Sequence, residues 1–455
     1  MNTQQLETFV LERMAKTKLS AVSMALIDGD QIVWSRGFGL RDREQGLPAT
    51  AQTNYNIGSV TKTFTAVAIM QLQERGLLSI EDPVSKYLDL RLQPFGEPIR
   101  IRHLLSHTSG LPATAYLENL LRYHHGRSDK FLPLGTLQDM LSFLNGAEDW
   151  IETRPGERWF YFNEGYVLLG AIIEQLSGKA YAEYIREEIL LPLGLTRSFH
   201  AKALAQQDPE MAVPYGVEKE GRHVAKQYPW GQAEPDGGLI SNVADLARYV
   251  QFYLKKGEPL LKADSIAQMA TPWVRTPNQT AAGEPIGHYG LGLSQTTLFG
   301  QRLFGHTGEM YVATAGMRIL PERKLGAVVL ANGSGYSMAT FADFGLATLL
   351  GEDPWQLPAL RTERLLEGLT GRYETYRGTF GCEVLRKGDT LQLVFTTKFA
   401  TETVPLVPQE LGEESSRFLA FGGGARQIVE FHHRAAGTEM LYERYKMRRV
   451  GPLAE

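Results

Sequence analysis

Asn56-Ile57-Gly58-Ser59-Val60-Thr61-Lys62 leads into a stretch that turns helical at Thr61. From Thr61 to Gln73 the apolar side chains Phe64, Val67, Ala68 and Leu72 recur on one side, and Gly76 supplies a stop. Ser-x-x-Lys occurs once in the chain, as Ser59 to Lys62. Residues three apart on a helix share a face, so the two side chains are placed within hydrogen-bonding reach. A serine hydroxyl is a weak nucleophile until a base takes its proton. A lysine serves as that base when burial pulls its pKa down. The helix N-terminus adds backbone N–H groups and positive potential where an oxyanion would form. A capping serine beside a surface lysine would give the same letters, and about one such match is expected by chance in a chain this long.

On the N-terminal side, Leu6, Phe9, Val10 and Met14 repeat at helical spacing. Two strand-like runs follow, Ala21 to Ile27 and Gln31 to Trp34, joined by the hairpin signal Asp28-Gly29-Asp30. On the C-terminal side, residues from about 100 to 255 read as mostly helical with long polar loops. Strand signals return at Tyr289 to Leu293, Tyr311 to Ile319 and Leu325 to Leu330, and Met338 to Leu350 reads as a closing helix. Sheet and covering helix at both ends, with a helical insert between, predict an α+β domain over 1–352: an antiparallel sheet flanked by helices, with a helical subdomain. Asp353-Pro354-Trp355 and Leu357-Pro358 mark a linker over 353–368. Short strand-like runs separated by turn signals such as Gly388-Asp389 and Gly422-Gly423-Gly424 then predict an all-β barrel over 369–455.

Two further places carry chemistry-bearing residues. Tyr161-Phe162-Asn163 follows Arg154-Pro155-Gly156, and strand alternation puts Tyr161 and Asn163 on one side of an extended segment. A phenol relays a proton when nearby cations lower its pKa. His306-Thr307-Gly308 precedes a strand signal, and Gly308 would let a substrate backbone approach closely. Taken singly, each has a plainer reading, a half-buried loop tyrosine and a strand-edge histidine.

Taken in order, Ser-x-x-Lys, Tyr-x-Asn and His-x-Gly resemble the serine β-lactamase and penicillin-binding-protein superfamily, in the class C β-lactamase and DD-peptidase-like branch. Asn56-Ile57-Gly58, the run His103 to Pro112 and Gly237-Gly238-Leu239-Ile240-Ser241 resemble the same branch, over about residues 5–350. The resemblance implies Ser59 as nucleophile, Lys62 and Tyr161 sharing proton transfer, and Asn163 orienting Lys62 and the substrate. It implies His306 and Gly308 lining the opposite wall, with the backbone N–H groups of Ser59 and Glu309 as an oxyanion hole. Leu369-Thr370-Gly371-Arg372-Tyr373-Glu374 resembles the start of a lipocalin-like barrel found on some peptidases of this superfamily. His306 departs from the branch, whose lactamases carry lysine there. A histidine is mostly neutral at neutral pH, so a site built for a free carboxylate is less expected. Glu309, pointing inward, would attract a substrate ammonium instead.

The expected activity is a serine peptidase or amidase on small peptides, including D-amino-acid-containing ones, working through an acyl-enzyme. A carboxylesterase with the same residues, a weak β-lactamase and a catalytically idle binding or sensor protein remain as alternatives. No cofactor or metal is expected. The partner is a small-molecule or short-peptide substrate, with homo-oligomerisation open. The composition, 43% hydrophobic and 22% charged with a formal net charge of −4 over 455 residues, is that of a globular chain without a basic nucleic-acid footprint. No run of about 18 apolar residues predicts a membrane span, and no signal peptide is visible. The single cysteine, Cys382, excludes an internal disulfide and fits a cytoplasmic setting.

Overall fold

In the computed structural model, strands β1 (Ala21–Asp28) and β2 (Gln31–Asp42) form the expected hairpin, and Gly29 takes a φ of +54° at its turn. An L side chain there costs about 1–2 kcal/mol. The structure describes residues 3–453 apart from 125, 127, 130–135, 201, 219–220, 222, 227–233, 278–285, 311 and 423–424.

The sheet continues with β3 (Leu47–Pro48), β4 (Val274–Arg275), β5 (His288–Tyr289), β6 (Ser294–Leu298), β7 (Gln301–Glu309), β8 (Thr314–Leu320) and β9 (Leu325–Ala331). These nine strands lie in the order β3-β2-β1-β9-β8-β7-β6-β5-β4. The N-terminal hairpin therefore meets the C-terminal strands at β1 and β9, where Val22 stands opposite Ala331 in an antiparallel pair. Both central strands are buried on both faces, which is why they read as continuous apolar runs rather than alternating ones. On one face, a Cβ added to Gly345 of the helix Met338–Leu350 would fall 2.4 Å from the Met24 methyl. On the other, Ala25 and Ile27 join the main core with Val250 of the helix Val243–Leu254. Gly345 at the first crossing, and Gly326 of β9 at the second, where a Cβ would fall 2.3 Å from Val250, let helix and strand approach closely.

The chain between β3 and β4 carries the helices Thr61–Glu74, Asn163–Ser177 and Val243–Leu254 among others, and the first of these is buried from Thr61 through Leu72. Among the described residues no helix is long and apolar enough to cross a membrane.

Three local expectations differ from the structure. The strand expected over Tyr289 to Leu293 is cut after Tyr289, because Gly290 donates to the Leu293 carbonyl and turns the chain into β6. Gly292, at φ +76°, packs so tightly that a Cβ would lie 2.6 Å from that of Ala66. The strand expected from Tyr311 begins at Thr314, and Tyr311 itself lies outside the described residues. The stretch expected as a linker contains the helix Pro358–Gly368, started by proline in its first turn.

The chain divides into two compact units, the second containing Asp353–Glu455. Eight strands between Gly371 and Gly451 follow one another in chain order and close into an antiparallel barrel. Its interior is built by alternation: Val384, Leu391, Leu393, Leu406, Phe418, Val429 and Phe431 point inward, and Leu366 and Leu369 pack against them. Cys382 is part of this core, 7% exposed, with its Sγ 3.8 Å from the Met447 sulfur. Of the Gly422-Gly423-Gly424 turn, Gly423 and Gly424 lie outside the described residues.

Candidate active site

A single 3-10 turn, Gly58–Val60, delivers the chain into the helix Thr61–Glu74. Gly58 has φ +50°, and the Asn56 side chain holds the turn, accepting from the Gly58 N–H at 2.9 Å while donating to the Gly237 carbonyl at 3.1 Å. Ser59 is half-buried on this turn, and Lys62 stands one turn further, fully buried. Lys62 Nζ donates to Ser59 Oγ at 3.1 Å. Strand β7 runs alongside: a Cβ on Gly308 would fall 2.0 Å from the Ile57 carbonyl and 2.9 Å from the Ser59 nitrogen, and one on Gly58 would fall 2.8 Å from the Glu309 nitrogen. Two glycines thus bring the amides of Ser59 and Glu309 to one end of the turn.

Lys62 has further partners that the sequence motifs do not disclose. Its Nζ donates to the Asp236 backbone carbonyl at 2.9 Å and lies 3.4 Å from Asp236 Oδ2. It also sits 5.0 Å from the Tyr161 ring centroid and 5.5 Å from that of Tyr166. Burial pulls the lysine pKa down, but Tyr161 and Asp236 beside it outweigh that and leave it above the usual value. This corrects the expectation of a depressed lysine. Asp236, 7% exposed, is pushed up to about 6 by burial, with Lys62 opposing.

Tyr161 lies on an extended segment pinned by His107. The Phe160 N–H donates to the His107 carbonyl at 2.8 Å, and the Phe162 N–H donates to His107 Nδ1 at 3.0 Å. The two rings lie 4.2 Å apart. Burial, with Lys62 nearby, holds His107 well below the ordinary histidine value, so the ring is neutral. Asn163 begins the helix Asn163–Ser177 rather than continuing the extended segment, and its Nδ2 donates to Glu118 Oε1 at 2.8 Å. Lys62 Nζ thus meets the Asp236 side chain besides Ser59, whereas Asn163 bonds to Glu118.

His306 is 4% exposed, and its ring meets the Tyr289 hydroxyl through Nε2 at 2.8 Å and the Thr307 carbonyl through Nδ1 at 2.6 Å. A carbonyl only accepts, so Nδ1 carries the proton and Nε2 accepts from Tyr289. Burial pushes its pKa down to about 3, with Lys62 adding to the effect. The wall where lactamases of the branch carry a cation is thus neutral here.

Ser59, Tyr161, Asn163, His306, Gly308 and Glu309 line one pocket of about 820 Å³. The lining includes the carboxylates of Glu118 and Glu309 and, among the described residues, no lysine or arginine. All seven sequence-derived site residues thus converge, with Lys62 directly beneath. Reading motifs missed Asp236, Glu118, His107 and Tyr289. Asp236 precedes the Gly237-Gly238 pair and His107 falls in the run His103 to Pro112, so the signal for both lay in segments whose likeness was noted without assigning roles.

Residues 6–351 match the family model described as Beta-lactamase. The chain belongs to the Beta-lactamase family. Residues 354–448 match a second model, the Pab87 octamerisation domain. The octameric penicillin-binding protein homologue from Pyrococcus abyssi is similar over 98% of this β-lactamase-family chain and 100% of its own, at 39% identity and a TM-score of 0.93. The penicillin binding protein from Bacillus halodurans covers 75% of this chain, and 98% of its own, at 26% identity and a TM-score of 0.59. Protein flp from Staphylococcus aureus is 26% identical over 333 residues, 72% of this chain and 63% of that protein. The chain therefore spans less than two thirds of the length of that curated relative.

Proposed function

We propose that this chain is a serine hydrolase that works through an acyl-enzyme, and that its substrates are amides of small peptides, D-amino-acid-containing ones among them. The observation that carries the reading is the 3.1 Å hydrogen bond from buried Lys62 to Ser59 Oγ at the floor of an open pocket. Ser59 Oγ attacks the carbonyl carbon. Its proton passes to the Lys62–Tyr161 pair. The amides of Ser59 and Glu309 receive the oxyanion, supported by the close approach of Gly58 and Gly308. The pair then returns the proton to the leaving amine and activates water for deacylation.

The pocket's charge supports the substrate class. Two carboxylates line it, and His306 is neutral where a cation would hold a free carboxylate. A substrate bearing an ammonium fits this wall better than one bearing a carboxylate. The second unit serves assembly of identical copies. That reading is supported by the match of 354–448 to an octamerisation domain and by the octameric state named for the Pyrococcus abyssi relative.

The test offers one aminoacyl group as D-amide, L-amide and ester to wild type and Ser59→Ala. Amide turnover that vanishes in Ser59→Ala is the expected result, and the D/L ratio fixes stereochemistry. Turnover of the ester alone would replace the peptidase reading with a carboxylesterase.

A further inference from the structure

The Lys62 ammonium has three N–H groups, and Ser59 Oγ, the Asp236 carbonyl and Asp236 Oδ2 stand near them, with Tyr161 as a further partner. An ammonium only donates, so no lone pair faces Ser59 in this arrangement. The cluster must lose one proton before the serine can lose its own, and that step removes a positive charge next to the Asp236 carboxylate. The second oxygen of Asp236, Oδ1, is buried without a hydrogen-bond partner. With no donor on that oxygen, the cation paired with the carboxylate is Lys62.

We propose that Asp236 is a positioning residue, the internal counter-ion that retains the proton on the Lys62–Tyr161 pair and so sets the pH above which Ser59 becomes reactive. The proposal rests on Ser59 being the nucleophile. Whichever of Lys62 and Tyr161 gives up the proton, a nearby negative charge opposes the loss, so the direction of the effect is the same.

The neighbouring titratable groups leave Asp236 in this role. His107 and His306, which also bear on Lys62, are held neutral. Tyr166 and Tyr181 are raised by burial and stay phenols. Glu118 accepts from Asn163 through Oε1 and adds negative potential at Asp236, in the same direction as Asp236 acts on Lys62, and Glu234 is raised by burial, with Glu174 adding to the effect. The Asp236 backbone is tied to the serine turn, since the Ile57 N–H donates to the Leu239 carbonyl at 3.0 Å and Asn56 holds Gly237.

The experiment measures the rate at which a fluorophosphonate modifies Ser59 in the full chain as pH varies, read by intact mass. Wild type, Ser59→Ala, Asp236→Asn, Asp236→Ser and Asp236→Glu are compared. In Asp236→Asn the acid limb of the rate profile is expected to move down by about 1–3 pH units. Asp236→Ser moves it the same way, and Asp236→Glu keeps the wild-type limb. Either neutral variant decides if the other does not fold. An unchanged limb in a folded neutral variant overturns the proposal, as does loss of labelling at every pH. Absence of Ser59 labelling in wild type would instead overturn the serine-hydrolase reading itself.

Discussion

The buried histidines owe their behaviour to burial more than to their own chemistry. His103, His200 and His306 are each pushed down to about 3, chiefly by burial. An unfolded histidine takes up its proton near pH 6.5. Between there and about 3 the unfolded chain binds protons that the folded one refuses, so stability is full above the unfolded value and is lost as pH falls. Each such histidine contributes about 1.4 kcal/mol per pH unit to that loss. Asp236 runs the opposite way: raised to about 6, it favours the folded state at low pH and loses that contribution as pH rises through its folded value. His200 is buried beside the Glu234 backbone and lies edge-on to Tyr181. His200→Phe is therefore expected to flatten the fall in melting temperature between about pH 7 and 5 by one histidine's share, while an unchanged slope would assign the acid sensitivity elsewhere. At this scale motifs in the sequence marked Ser59, Lys62, Tyr161 and His306 as candidates, and the fold brings the four side chains together. It did not disclose Asp236, because nothing in Glu234-Pro235-Asp236 tells which lysine 174 positions away it will meet.

Elements position the site through close approach. Strand β7 can lie against the Ser59 turn only because Gly308 has no side chain, as a Cβ there would fall 2.0 Å from the Ile57 carbonyl. Gly308→Ala is expected to push the strand away, destabilising the chain by about 1–3 kcal/mol. It should also slow Ser59 labelling more than tenfold, since the Glu309 amide moves with the strand. Denaturant unfolding and the labelling rate check the two parts separately, and wild-type labelling would remove the strand from the site's geometry. The helix Thr61–Glu74, the hairpin of β1 and β2 and the helix Met338–Leu350 were legible from periodicity and turn residues. The break after Tyr289 was not, because Gly290 and Gly292 turn the chain in response to Met269 and Ala66, residues far away in sequence. The helix Pro358–Gly368 was hidden for another reason. Prolines at 354 and 358 read as a linker, whereas both sit in the first turns of helical segments, where a missing N–H costs nothing.

For the molecule as a whole, the division near residue 352 was legible as a change of composition, and the closed antiparallel barrel as a series of short strands between turns. The outer face of that barrel was not, because apolar residues on alternate positions look alike whether they point in or out. Val407 stands opposite Leu419, and Leu419 opposite Ile428, forming an apolar cross-strand row in which Val407 is 44% and Ile428 53% exposed. This row is a candidate contact for the assembly of identical copies proposed above. Ile428→Asp is expected to reduce that assembly in sedimentation velocity without unfolding the barrel, and an unaltered sedimentation coefficient would place the contact on another face.

Cys382, the one cysteine in the chain, gives the barrel a reporter of its own. Its thiol is enclosed and its pKa is pushed up to about 12 by burial, so a disulfide reagent meets neither an accessible sulfur nor a thiolate until the barrel opens. Colour release from such a reagent times that opening, while phosphonylation of Ser59, the nucleophile proposed above, would time events in the other unit. One unlabelled polypeptide thus carries two chemically orthogonal clocks, and a shared or separate pace between them measures the cooperativity of the two units without a fluorophore or a new mutation.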